Sequence, residues 1–358
     1  MPVSNLPRLL SAIRAPAGDV AAEARRHVDA LTKPPGSLGR LEDLAVRLAM
    51  LRGGAPSVDA PVIFTFAGDH GVVAEGVSAY PQTVTAQMVE NFLRGGAAIN
   101  VLARQAGARL VVADFGVVTS GPARAGLVQA RISAGTDNMA RGPAMTRANA
   151  VAAIEKGAKL ALDALDGGAD LVGTGEMGIG NTTAASAITS ALTGAPVEQV
   201  TGRGTGIDDA TLARKIDAIS RALDVNRPDP GDPIDVLAKV GGFEIAGLVG
   251  VVLAAASRSV PVALDGFISG AAALVAGRLA PDARHAMFAS HRSAEPGHAI
   301  LLADLGLTPY LDLSMRLGEG TGAALFVHLA RAAALVYRDM ATFKSAGVDG
   351  PGDERGPS

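Results

Sequence analysis

The chain has no cysteine and no tryptophan, and only three tyrosines among its 358 residues. Without cysteine there are no disulfides, thiolate zinc sites, iron–sulfur clusters or cysteine nucleophiles. So few aromatic rings leave little material for stacking nucleobases. Charge of one sign is also missing: 32 Lys and Arg face 35 Asp and Glu, a formal net charge of −3. That balance argues against a nucleic-acid partner, whose polyanionic backbone needs clustered cations. Long apolar runs are absent too. The longest, Ile245 to Ala256, has 12 residues between Glu244 and Arg258, against the roughly 20 a bilayer span requires, and it reads as a buried helix. Arg8 and Arg14 interrupt the first twenty residues, which argues against a signal peptide and for a cytoplasmic location. The six histidines show no HxxxH or HxH spacing. Neither a GxSxG elbow nor a GxxxxGK[ST] loop occurs, which leaves serine hydrolysis and nucleotide triphosphate hydrolysis without support.

What is abundant is glycine, 44 residues, within a chain that is 48% hydrophobic. The length suits one large α/β unit with a smaller one attached. Residues 19–52 read as two helices: Val20, Ala24, Val28 and Leu31 share one face, then Leu41, Leu44, Leu48 and Leu51 another, with Ser37 as the expected cap of the second. From about residue 60, short apolar runs end in glycine or acidic turns: PVIFTFAGDHG, ARLVVADFGV, ADLVGTGEMGIG, VPVALDGF and HAMFASHRS. Non-alternating strands separated by helical segments predict an α/β fold, a parallel β-sheet covered by helices on both faces in a Rossmann-like three-layer domain. The long segment GTGAALFVHLARAAALVYRDMATF returns to helix. The expected organisation is therefore a small helical domain made from both chain ends (1–58 and 316–348) around an α/β catalytic domain (59–315), with a disordered tail at 349–358.

In an open parallel sheet, ligands bind at the carboxyl ends of the strands, so the glycine turns mark the candidate site. In GTGEMGIGNTTAASAI, Gly173, Gly175 and Gly178 match GxGxxG, and Glu198 lies 20 residues past Gly178, where a dinucleotide fold places its ribose-binding acid. An NAD(P)-dependent oxidoreductase is thus the rival reading, although Glu176 inside the turn would repel a pyrophosphate. In VTGRGTGIDDATLARK, Gly202, Gly204 and Gly206 can form an amide-lined nest for one phosphate, with Arg203 inside it and Lys215 two helical turns beyond Asp208. A solvated helix face is the plain alternative for Lys215. In RLGEGTGAAL, Glu319 stands between two glycines at the mouth of the last long helix. Capping alone would explain an acid there, but flanking glycines are not needed for capping and leave room for a ligand, which favours a general base. In FAGDHG, Asp69 and His70 read as structural, and Ser78, Tyr80 and Gln87 downstream offer polar contacts for a flat heterocycle. His291 and His298 in SHRSAEPGH stay open between a functional and a structural role, with structure favoured.

Taken in order, KPPGSLGRLEDLA, FAGDHGV, EGVSAYPQTVTAQMVENF, GTGEMGIGNTTAASA, GRGTGID, GGFEIAGLVG, ALDGFISGAAA, SHRSAEPGH and LGEGTGAAL closely resemble the nicotinate-nucleotide:dimethylbenzimidazole phosphoribosyltransferase family, over residues about 30 to 345. The resemblance implies transfer of the phosphoribosyl group of nicotinate mononucleotide to 5,6-dimethylbenzimidazole in assembly of the cobalamin lower ligand, with no cofactor and no metal. It also implies a homodimer in which the neighbouring subunit closes the cavity. Carried onto this sequence, the catalytic base falls on Glu319 and a second carboxylate on Glu176. Gly178, Gly180, Asn181, Thr182, Gly202, Arg203, Gly204, Lys215 and Ser293 would hold the nucleotide, and Ser78, Tyr80, Gln87 and Leu317 would line the benzimidazole slot.

Overall fold

The computed structural model describes residues 6–119, 124–204 and 206–350. Of the tail expected at 349–358, residues 351–358 lie outside the described residues.

Six strands form one all-parallel sheet: β1 Pro61–Gly68, β2 Arg109–Gly116, β3 Leu127–Gln129, β4 Leu171–Met177, β5 Val262–Leu264 and β6 Met287–Ala289. Their spatial order is β3-β2-β1-β4-β5-β6. The chain starts in the middle, winds outward through β2 and β3, then returns to lay β4 on the other side of β1. The switch point therefore lies between β1 and β4, where a ligand crevice is expected at the carboxyl ends. β1 is buried throughout, which explains an apolar sequence interrupted only by Thr65: both faces are covered.

Alternation along β1 sends side chains to two different layers. Phe64 and Phe66 point toward helix Phe243–Ser257, where Phe66 stacks on Phe115 of β2 at 4.3 Å. Ile63 joins Ile99 and Ala324 on the opposite face, under helices Ala98–Ala106 and Thr321–Asp339. The run at 245–256 is wholly buried helix, as its composition predicts. It is crossed at backbone contact distance by helix Arg147–Asp166. A Cβ on Gly157 would stand 1.9 Å from the Gly247 carbonyl oxygen, and one on Gly250 would stand 2.0 Å from that of Ile154.

The two N-terminal helices are Gly18–Asp29 and Arg40–Leu51. Ser37 does not cap the second. That helix begins after Gly39, which has a positive φ of 55° and offers no side-chain cap. Helix Arg40–Leu51 packs on Thr321–Asp339, and Leu31 pairs with Thr342, so the two chain ends meet. Among the described residues no helix is long and apolar enough to cross a membrane.

Candidate active site

The loop Gly318–Glu319–Gly320 lies directly on β4. All three residues have positive φ, 89°, 64° and 97°, a region that suits glycine but strains glutamate. Strand β4 makes room for it by carrying no side chain at Gly175, where a Cβ would come within 2.3 Å of the Glu319 carbonyl oxygen. Thr65 of β1 donates its hydroxyl to that same oxygen at 2.7 Å, and the Glu319 amide donates to the Glu176 carbonyl at 3.2 Å. Asp265, just past β5, completes the frame by accepting the amides of Gly320 at 2.9 Å and Gly322 at 2.7 Å. Its carboxylate thus caps the start of the last long helix, leaving Glu319 free of that duty.

Glu319 is 5% exposed, and its Oε2 is buried without a hydrogen-bond partner. Burial pushes its carboxyl above the usual carboxylate range, with the facing Ile99 backbone pulling only partly the other way. Glu176 is buried as well. Desolvation, then the charges of Asp265 and Glu244, hold it well above the ordinary value, against a hydrogen bond from the Asn181 amide. Asp265 is pushed up to about 7 by burial, despite its backbone partners. Acids crowded this way cannot all ionise together.

The nucleotide candidates gather beside Glu176. Gly178, Asn181, Thr182, Gly204, Ser293, Leu317 and Gly318 line one cleft. Gly180 caps helix Asn181–Thr193 with φ 95°. Lys215 is no solvated residue. At 1% exposure it donates to Thr182 Oγ1 at 2.8 Å and to the Gly202 carbonyl at 3.1 Å, and burial lowers it to about 8. Asp208 caps its helix, Asp209–Asn226. Arg203 spends its guanidinium on the Ile207 carbonyl and the Asp209 carboxylate at the exposed side of the loop.

The heterocycle candidates are more scattered. Tyr80 is 49% exposed, and Ser78 Oγ accepts the Tyr80 amide at 3.1 Å within a local turn. Gln87 lines a neighbouring cavity of about 610 Å³ with Asp114, Val117 and Gln129. Met177 stands between the two spaces, lining the first cleft and packing on the Val89–Val117 cluster that walls the second. Leu317 is 57% exposed at the rim.

The GxGxxG match does not build a dinucleotide turn, and the oxidoreductase reading is set aside. Gly173 and Gly175 lie within β4 itself, where their missing side chains admit Ala323 and the Glu319 backbone. Glu198 sits in the short helix Val197–Val200 rather than at the end of an adjacent strand. His70 and His298 have internal partners, while His291 lines the cleft. His70 Nε2 meets Glu244 Oε1 at 2.7 Å in full burial, and His298 Nδ1 accepts the Ser293 amide at 2.9 Å. Three participants escaped the sequence: Asp265, Glu295 and Arg316. The acidic turn after the strand-like VPVAL is the signal that marks Asp265. Glu295 and Arg316 touch Gly204, 91 and 112 residues away, which no local pattern reveals.

A parallel sheet with buried carboxylates and a lysine-backed glycine loop beyond the carboxyl ends of its strands marks an α/β enzyme with one candidate site, and residues 13–348 match the family model described as phosphoribosyltransferase. The chain belongs to the nicotinate-nucleotide–dimethylbenzimidazole phosphoribosyltransferase family. A relative of that name from Desulforudis audaxviator is 59% identical over 91% of this chain and 92% of its own length. Another, from Geobacter metallireducens, is 54% identical over 96% and 98%. A crystal structure of the Thermus thermophilus protein of that name superposes with a TM-score of 0.89 at 49% identity, covering 93% of this chain and 99% of the other.

Proposed function

We propose that this chain moves the 5-phosphoribosyl group from nicotinate mononucleotide to 5,6-dimethylbenzimidazole, giving α-ribazole 5′-phosphate and nicotinate, with Glu319 as the base. The observation that carries this reading is the Glu319 carboxylate, buried with one oxygen unpartnered, in a chain of this family.

The chemistry accounts for what the carboxylate does. The pyridine ring of the mononucleotide is already cationic, so breaking its bond to ribose C1′ neutralises it and needs no acid. The attacking benzimidazole nitrogen starts neutral and gains positive charge as it bonds to C1′, from the face opposite the leaving ring, which converts a β-link into an α-link. A carboxylate at the other ring N–H stabilises that charge and accepts the proton. Burial makes Glu319 a stronger base than a solvated glutamate, and Glu176, buried beside the charges of Asp265 and Glu244, is shifted further in the same direction. Glu176, which accepts a hydrogen bond from the Asn181 side chain, is the second carboxylate of the site. The helix start at Gly180–Thr182 and the loop Gly202–Gly204 with Lys215 receive the phosphate.

The cleft encloses only about 90 Å³, below the roughly 300–1,000 Å³ of ligand sites. The neighbouring cavity at Gln87, about 610 Å³, lies within that range. The benzimidazole would lie there, with Ser78, Tyr80 and Leu317 along its rim. The exposure of Tyr80 and Leu317 supports a homodimer whose second copy covers this opening in the cytoplasm, the helical parts 1–58 and 316–348 forming a unit distinct from 59–315. Light scattering on the purified protein tests the dimer. Incubating nicotinate mononucleotide with dimethylbenzimidazole and identifying the riboside by mass and NMR tests the activity. The α-linked product is expected; a β-linked product or unchanged substrates would refute the reading.

A further inference from the structure

The loop assigned to the phosphate already holds an anion of the protein's own. Glu295 follows β6 and is 7% exposed. Its Oε1 accepts the Gly204 amide at 2.9 Å, while its Oε2 is buried with no partner. The fit is close, since a Cβ on Gly202 would stand 2.2 Å from Oε2. From the other side of the loop, Lys215 donates to the Gly202 carbonyl and Thr182, and the Glu295 charge acts on it at longer range. A buried carboxylate with one oxygen unsatisfied is costly, and a residue kept only for packing would not carry that cost. A phosphate dianion added beside it would put three negative charges against the Lys215 ammonium and the Arg316 guanidinium, which donates to the Gly204 carbonyl, in a poorly screened site.

We propose that Glu295 is an internal stand-in for the phosphoryl group, filling the nest while the enzyme is empty and exchanging with the phosphate of the mononucleotide on binding. The proposal rests on the reading of Gly202, Gly204 and Lys215 as the phosphate site. No covalent bond changes: the Gly204 amide and the Lys215 charge pass from carboxylate to phosphoryl oxygens, and Glu295 swings into the adjoining cleft walled by Thr201, Ala294 and Pro296. The exchange gives selectivity, because a riboside lacking phosphate has nothing with which to displace the carboxylate.

Calorimetric titration with inorganic phosphate and with nicotinate mononucleotide, on wild type, Glu295→Gln, Glu295→Ala and Lys215→Ala, tests the exchange. Phosphate affinity should rise in the order wild type, Gln, Ala, with the final gain about tenfold or more, since each tenfold corresponds to about 1.4 kcal/mol of removed competition. Should the Ala variant fail to fold, the near-isosteric Gln variant carries the test. Phosphate binding equal to or weaker than wild type in the Glu295 variants, with Lys215→Ala still weakening the mononucleotide, overturns the exchange but leaves the phosphate site standing. A Lys215→Ala protein that binds the mononucleotide as well as wild type overturns the phosphate site, and the exchange falls with it.

Discussion

Glu42, in the N-terminal helical part, and Glu319, on the sheet, are both almost fully buried, at 1% and 5% exposure, yet they live under opposite electrostatics. Around Glu42 every demand of the carboxylate is met: Lys33 Nζ stands 2.8 Å from Oε1, and the amides of Leu38 and Gly36 donate at 2.9 and 3.2 Å. Burial alone would raise its pKa, but these partners outweigh it and hold it below the usual value. Around Glu319 no cation is in contact among the described residues, one oxygen is orphaned, and burial wins. The same side chain is a staple in one setting and a base in the other. What separates them is whether the fold supplies the missing partners or leaves them to a substrate.

Breaking the satisfied site should cost stability and nothing else. Glu42→Gln strands Lys33 in a buried position and is expected to lower unfolding free energy by about 3–5 kcal/mol. Denaturant titration reads this, and turnover per folded molecule should stay at the wild-type level. A second substitution attacks the geometry of the unsatisfied site without touching its charge. Gly175→Ala drives a methyl toward the Glu319 carbonyl, with a contact of 2.3 Å to relieve. It should cost about 1–3 kcal/mol of stability while lowering the chemical rate roughly a hundredfold by displacing the base. Melting curves and single-turnover kinetics separate the two effects.

Acid sharpens the contrast with a smaller signal. The depressed pKa of Glu42 stabilises the fold above the ordinary carboxylate pKa, a contribution lost as pH falls through its lower folded-state value. The raised pKa of Glu319 has the reverse sign: its ionisation penalises the fold at neutral pH, and the penalty fades as pH falls toward the ordinary range. In thermal melts against the two Gln variants, wild type should therefore lose its advantage over Glu42→Gln on acidification and lose its disadvantage against Glu319→Gln. A constant difference across pH in the second pair would show that Glu319 does not titrate above the ordinary range.

The sequence discloses five strands, the three-residue β5 and β6 among them, and hides the edge strand β3, for a physical reason. β1, β2 and the glycine-rich β4 announce themselves because seven or eight residues must be compatible with burial on one or both sides. β3, three residues at the sheet edge with an exposed Gln129, carries no periodicity to read. Glu319 is legible because its constraints are local: two flanking glycines, a positive-φ loop and the start of a helix all fall within a few residues. Asp265 and Glu295 do their work across the fold, on Gly320 and Gly204, and only tertiary structure joins them. The GxGxxG match fails for the same reason in reverse, since a local pattern fixes no ligand when its glycines are used to admit a neighbouring backbone.

The most direct test is the single-turnover rate of α-ribazole 5′-phosphate formation by Glu319→Gln with both substrates saturating. If a partnerless buried carboxylate takes the benzimidazole proton, the rate should fall by about 10²–10⁴, with substrate affinities and the thermal midpoint held or improved. A Glu319→Gln protein that turns over at the wild-type rate would contradict it.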